Sequence, residues 1–346
     1  MSPKRRMGPA EMVLATSVAR RYYLDGRSKV EIAQEFELSR FKVARLLETA
    51  QEQGLVRIEI GHPGGIDIEL SAQLQEAFGL RHALVIDTGD AEGHALRHQL
   101  GNVAAELLSE IVGPEDVLGL AWARTVSAMA TQLQQLPTVA VVQLTGALSP
   151  TTGVSSSIDD DSSIDVVREV ARISRGPAYL FFAPFLLPDA TTAGALRRQP
   201  DVARAFSRFA SVTVAVAGIG RWAPGESTLY DAATEHDRES LARERVCADV
   251  GGVFLSADGE PLQTSLSERM VGMSATQLQA VEEVIAIPYG VSKQPAVLAA
   301  LRSGMVTSVV THTALAAALL PDATADDLQR EVRGKVSVRA EENALD

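Results

Sequence analysis

The chain has 346 residues, 46% hydrophobic and 22% charged, with a net charge of −12, the proportions of a packed globular protein long enough for a small and a larger domain. The acidic balance argues against wholesale coating of nucleic acid, and the single cysteine, Cys247, excludes an intrachain disulfide and any multi-cysteine metal site. No run of about 18 apolar residues offers a membrane span, and the opening Met1 to Arg6 lacks the apolar core of a secretory signal, so a cytoplasmic protein with no membrane partner is expected.

Charge is unevenly spread. Residues 1 to 60 carry 11 Lys and Arg against 8 Asp and Glu, a surplus of three that leaves the rest of the chain at −15 and confines contact with a polyanion to the head. A first helix is predicted over Glu11 to Leu24, closed at Asp25-Gly26. From Ser28 onward Val30, Ala33 and Phe36 share one helical face, Leu38 fills a turn, and Val43, Leu46, Leu47 and Ala50 recur at the period of a second helix. This is the pattern of a helix-turn-helix. Ser39 can accept from a backbone N–H at the start of that second helix, near Arg40. Its inward apolar face leaves Arg40, Lys42 and Arg45 toward solvent, at the end that such motifs insert into the major groove. With Ser39 and the intervening Phe41 they are the expected DNA contacts. Gly54 stops the helix, and Leu55 to Ile60 alternates as the strand of a winged variant, with Arg57 aimed at the DNA backbone.

Gly61-His-Pro-Gly-Gly65 is a breaker cluster, which places a hinge near Pro63. The expected division is a DNA-binding domain over 1–62, an effector-binding and oligomerisation domain over 63–325, and a charged tail over 326–346 that frays. A helix over Ile66 to Phe78, closed by Gly79, opens the larger domain. Short apolar runs follow at Ala83 to Ile86, Val117 to Leu120, Val139 to Leu144, Tyr179 to Phe182, Val212 to Ala217, Val253 to Leu255, Val284 to Ile287 and Ser308 to Val310. Helical periods lie between them at Ala95 to Ile111, Arg124 to Leu136, Ile164 to Ile173, Pro200 to Phe209, Gln294 to Leu301 and Thr313 to Leu320. Alternation of this kind predicts a doubly wound, mostly parallel α/β sheet covered on both faces. Thr151 to Ser163, rich in Ser and Asp, reads as an exposed loop.

In open α/β folds ligands bind outside the carboxyl ends of the strands. Leu120 to Thr125 follows a strand and opens a helix, so its backbone N–H groups with Arg124 and Thr125 can hold an anion. Gln143 to Gly146 ends another strand with hydrogen-bonding side chains, Phe182 to Pro184 offers an apolar wall, and Gly218-Ile-Gly220 ends a third strand. Lys293 is the only lysine between Lys42 and Lys335. A cation at a helix start is electrostatically misplaced unless an anion shares the site, and a phosphate would resolve this.

Other motifs fail. Gly218 to Ala223 fits GxGxxA, but Pro224-Gly225 prevents a dinucleotide-binding helix from starting there. His94 and His98 are spaced i, i+4 without a third ligand. The chain has neither a GxSxG elbow nor a GxxxxGK[ST] loop, and Asp159 to Asp161 reads as a solvated charge run. No cofactor and no metal site are expected.

These residues together resemble the SorC (DeoR/SorC-type) family of sugar-responsive bacterial transcriptional regulators. The resemblance spans nearly the whole chain and rests on LSRFKVARLL, GLAWARTV, VVQLTGA, FFAP, VAGIG, DVGGVFLSADG and IPYGVSKQPAVLAALRSGMVTSVVT. It implies a phosphosugar isomerase/CoA-transferase-like effector domain and a homodimer or homotetramer that binds double-stranded operator DNA and responds to a sugar phosphate or related metabolite. Carried over by motif, the effector site would use Gly119, Trp122, Arg124, Thr125, Gln143, Thr145, Gly146, Pro184, Gly220, Asp258 and Lys293. The chain departs from the family pattern at Ala123, at Thr145-Gly146-Ala147 and at Tyr289.

Three functions compete. A regulator couples effector occupancy to operator affinity. A phosphosugar isomerase or deaminase on the same fold needs a general base beside the substrate carbon, for which Asp258 is the lone candidate after Arg221, Trp222 and Ala223 replace the Asp and His of such enzymes. A DNA-binding adaptor would use its larger part only to oligomerise. The non-enzymatic regulator is the reading these residues favour.

Overall fold

The structure, a computed structural model, describes residues 8–52, 55–56, 65–89, 91–148 and 162–320. Residues 57–60 of the expected wing strand with Arg57, the Pro63 hinge, residues 151–161 of the expected loop with Asp159 to Asp161, and the tail lie outside these residues. Contacts divide the chain into two units, Met1–Ile60 and Gly61–Asp346.

The first unit holds α1 (Pro9–Tyr23), α2 (Lys29–Glu35) and α3 (Arg40–Glu52). Ser28 and Glu31 form a reciprocal capping box at α2. Ser39 starts α3 as expected, its Oγ accepting the Lys42 N–H at 3.2 Å. Ala15, Val18 and Ala19 of α1 close over Ile32, Ala33, Val43, Leu46, Leu47 and Ala50, with Phe36 and Leu38 packed against them. Val30, expected on that seam, is exposed. α2 turns Ile32, Ala33 and Phe36 inward, and two residues of helix, about 200°, carry Val30 to the far side.

The second unit runs α4 (Ile68–Phe78), β1 (His82–Ile86), α5 (Gly93–Ile111), β2 (Val117–Leu120), α6 (Arg124–Gln132), β3 (Ala140–Gln143), α7 (Ser163–Ser174), β4 (Ala178–Tyr179), α8 (Ala190–Arg197), α9 (Pro200–Phe206), β5 (Val214–Ala217), β6 (Ile219–Arg221), α10 (Thr228–Ala232), α11 (Glu235–Arg243), β7 (Ala248–Val250), β8 (Val253–Leu255), α12 (Ala275–Gln279), β9 (Glu283–Ala286), α13 (Gln294–Arg302), β10 (Ser308–His312) and α14 (313–320). Seven strands form a parallel sheet in the order β1-β10-β9-β5-β2-β3-β4. Alternate residues feed two apolar layers. Leu118, Leu120, Val214, Val216 and Ile285 pack under α5, α6 and α7, while Ala215, Ala217, Val284 and Ala286 meet α4, α9, α13 and α14. The sheet is therefore α/β, mostly parallel and covered on both faces, as its near-continuous apolar strands require.

Some expectations are corrected. Val253 to Leu255 belongs to a separate antiparallel sheet, β6-β7-β8. Its β7–β8 hairpin turns on Gly251 (φ +54°) and Gly252 (φ +90°), the double positive φ that a two-residue hairpin loop needs. β4 stops after two residues, because the Phe181 N–H is taken by the Gln143 side chain at 3.1 Å instead of a strand neighbour. The chain after Gly218 enters β6, and no dinucleotide-binding helix follows, in keeping with the Pro224-Gly225 break. α6 ends at Gln132, four residues early, where Leu133 turns extended, and Ser162 leaves the expected loop to cap α7.

Candidate functional site

A cleft partly open to solvent lies at the carboxyl ends of the parallel strands where they meet β6 and β7. Its cationic wall is built by α6 and the segment before α13. Ala123 is the N-cap of α6 with no side-chain cap bond, and the first intrahelical bond runs from the Ser127 N–H to the Ala123 carbonyl. The N–H groups of Arg124, Thr125 and Val126 precede it and so have no partner inside the helix. Arg124 and Thr125 line the cleft together with Lys293. The Lys293 ammonium donates to the Ile219 carbonyl at 3.0 Å and sits 4.9 Å from the Tyr289 ring centre. Burial lowers the Lys293 pKa, with Tyr289, Asp249 and Glu226 pulling the other way. Burial alone would raise the Tyr289 phenol, but Lys293, Arg97 and Arg124 outweigh it and hold it below its ordinary value.

Acidic groups line the same cleft. Asp249 of β7 is buried and accepts the Ser227 hydroxyl at 2.7 Å. Burial raises its pKa, partly offset by Ser227 and Lys293. This arrangement requires glycine at 220, where a Cβ would lie 2.2 Å from Asp249 Oδ1. Glu226 pairs with Arg221 at 3.2 Å, and Arg221 also donates to the Ser292 carbonyl. Phe185, Leu148 and Ile287 supply apolar surface. The loop carrying Tyr289 and Lys293 is held from β10: the Gly290 N–H donates to His312 Nε2 at 3.1 Å and Thr311 Oγ1 donates to the Pro288 carbonyl at 3.1 Å. The cleft thus combines donors for an anion with a carboxylate and a hydroxyl that can bond hydroxyl groups, the chemistry of a polar metabolite site.

Of the residues the sequence singled out, Trp122, Arg124, Thr125, Gly220 and Lys293 come together in this lining. Gln143 is fully buried beside it, its amide donating to the Thr145 carbonyl and to Ser163. The Thr145 hydroxyl accepts the Trp122 N–H at 3.0 Å. Gly119 and Gly146 are points of close packing, against the Leu144 and Val212 side chains and against the Phe185 backbone. Pro184, bridged to Ala147, and the exposed Asp258 lie outside the lining. Asp249, Ser227, Glu226 and Phe185 were not singled out. One signal was available for Asp249, a carboxylate set between Ala248 and Val250 before a Gly-Gly turn.

A second, larger hollow of about 1250 Å³ lies behind Gly252 and Phe185. Its Arg197 guanidinium already donates to the backbone carbonyl of Met270, and the start of α8, whose Ala190 lines it, is already capped by Asp189, which accepts the Thr192 N–H at 2.7 Å. The first cleft is therefore the candidate.

In the first unit Arg40, Phe41, Lys42 and Arg45 are exposed on α3. Lys42 Nζ lies 3.8 Å from Glu11 Oε1. Among the described residues Arg40 and Arg45 have no acidic partner. No helix among the described residues is long and apolar enough to cross a membrane.

Residues 64–321 match the family model described as "Putative sugar-binding domain". The chain is 26% identical over 309 residues to the uncharacterized transcriptional regulator YjhU of Escherichia coli K12, covering 86% of this chain and 92% of that protein. It is 25% identical over 318 residues to the sorbitol operon regulator of Klebsiella pneumoniae, covering 89% and 97%. The crystal structure of the full-length sorbitol operon regulator SorC from Klebsiella pneumoniae superposes with a TM-score of 0.67 at 23% identity, covering 90% of this chain and 99% of that one. With more than half of its length matched by the sugar-binding model and its relatives named as transcriptional regulators, the chain belongs to the SorC family of sugar-responsive transcriptional regulators.

Proposed function

We propose that this protein binds operator DNA through residues 1–62 and that a phosphorylated sugar or related metabolite, held in the cleft of residues 63–325, sets its affinity for that DNA. The observation that carries this reading is the polarity of the cleft: the open start of α6 with Arg124 and Lys293 suits a phosphate, and buried Asp249 with Ser227 suits sugar hydroxyls. In this reading the cleft is a receptor, and its output is a change in DNA affinity. The protein works as a homodimer or homotetramer, so that two heads meet half-sites about one helical turn or a multiple apart. Ser39, Arg40, Phe41, Lys42 and Arg45 face the duplex, with Arg57 at its backbone.

Gel shifts of the full-length protein on its own upstream region and other promoter fragments, repeated with a panel of sugar phosphates, test the reading. One compound is expected to change the apparent affinity by about five- to 150-fold, and Lys293→Ala to blunt that response while leaving DNA binding without the compound intact. If no fragment binds, or if Lys293→Ala responds with an unchanged dose curve, the reading fails.

A further inference from the structure

Phe41 is 86% exposed, the most exposed large apolar side chain among the described residues. It occupies the second position of α3, beside the Ser39 cap. Burial of Val43, Leu46, Leu47 and Ala50 fixes which way the helix faces. At about 100° per residue Phe41 points about 170° from the mean direction of those four, diametrically away from the head's core. Arg40 and Lys42 stand on its two flanks, and Arg45 lies one turn further along the same outer face. Glu48, the acidic residue of α3 on that face, lies about 10 Å beyond Phe41 along the axis, so the cations of α3 gather in its first turns, where Glu11 of α1 stands 3.8 Å from Lys42.

An apolar centre between two cations matches a major groove, where phosphates rim both sides and base edges form the floor. An apolar protein partner would have to desolvate Arg40 and Lys42 to reach Phe41. A duplex supplies an anion to each. The one strongly apolar group on the major-groove floor is the 5-methyl of thymine.

We propose, building on the DNA-binding reading above, that Phe41 is a specificity-determining residue that packs on a thymine methyl group, while Arg45 reads a base about two steps away. The spacing follows from the rise of α3 between positions 41 and 45, about 6 Å, against about 3.4 Å per base step. Arg40 and Lys42 serve as phosphate clamps on the two rims. In this assignment sequence preference comes from residues 41 and 45, and sequence-independent grip from 40 and 42.

The full-length protein is used to enrich binding sequences from a random duplex pool, and uracil then replaces each thymine of the enriched motif in turn. Uracil at one thymine is expected to weaken wild-type binding about fourfold, the factor that one buried methyl group supplies. Phe41→Ala should bind the thymine duplex more weakly by a similar factor and be indifferent to uracil at that place. Phe41→Leu, which keeps an apolar contact, should retain part of the discrimination. The uracil series on the wild-type protein needs no variant to fold. If every thymine tolerates uracil, or if Phe41→Ala suffers the same uracil penalty as the wild type, the assignment of Phe41 is overturned while DNA binding stands. A wild-type protein that enriches no motif overturns the DNA-binding reading, and this assignment with it.

Discussion

His312 ends β10 as a buried imidazole whose Nε2 accepts the Gly290 N–H, and a ring nitrogen that accepts a hydrogen bond carries no proton. Burial holds its pKa below the ordinary 6.5. As the pH falls through 6.5 the unfolded chain takes up a proton that the folded chain refuses. Stability rises with pH wherever the unfolded state binds more protons, so the contribution is whole above 6.5 and is lost below it, down to the folded pKa. Denaturant titrations at about pH 7.5 and about pH 5.5 should show a smaller loss of stability in His312→Gln than in the wild type. Equal losses would remove His312 from the account. At this scale the sequence was informative where chemistry was rare: Lys293 stands alone between distant lysines, and Arg124 opens a helix directly after a strand. It was less informative where polar groups turn inward. Nothing in Gln143 or Thr145 reveals that their hydrogen bonds are spent on the Phe181 and Trp122 amides rather than on a cavity.

Among the elements, α6 carries the open helix start, and its position depends on α5. Gly101 of α5 lets the backbone of α6 approach so closely that a Cβ there would lie 2.7 Å from the Ala128 carbonyl carbon and 2.8 Å from the Met129 nitrogen. Neither neighbour is a flexible side-chain end. Gly101→Ala is expected to cost about 1–3 kcal/mol and to lower the thermal midpoint by several degrees. An unchanged melt would mean that the two helices part without strain. The strands of the parallel sheet were legible because each is a short apolar run between breakers. β6 and β7 were not, since three residues are too few to establish a period and Asp249 interrupts the second. Hence the buried carboxylate of the cleft, which β7 carries, escaped a reading that found the cationic wall on longer elements.

For the whole molecule, charge separates the two units: a head three charges basic against a remainder at −15. Repulsion between the acidic bulk and a duplex confines attraction to the few cations of α3. If two heads each place Arg40 and Lys42 on phosphates, the logarithm of the binding constant should fall against the logarithm of salt with a slope of about −4, and Lys42→Ala should reduce that slope by about two. A slope unaffected by Lys42→Ala would take that residue off the backbone. Contacts divide the chain after Ile60; the sequence signals for a boundary nearby are the Gly-Pro cluster that follows and the change of charge sign.

The placement of the chain's two tryptophans has a practical result. Trp122 stands in the cleft lining, whereas Trp222 is packed edge-on against Tyr230 and Phe254, and residues 1–60 contain none. Tryptophan emission, excited selectively, is therefore blind to the head, and a solute entering the cleft meets one emitter of the two.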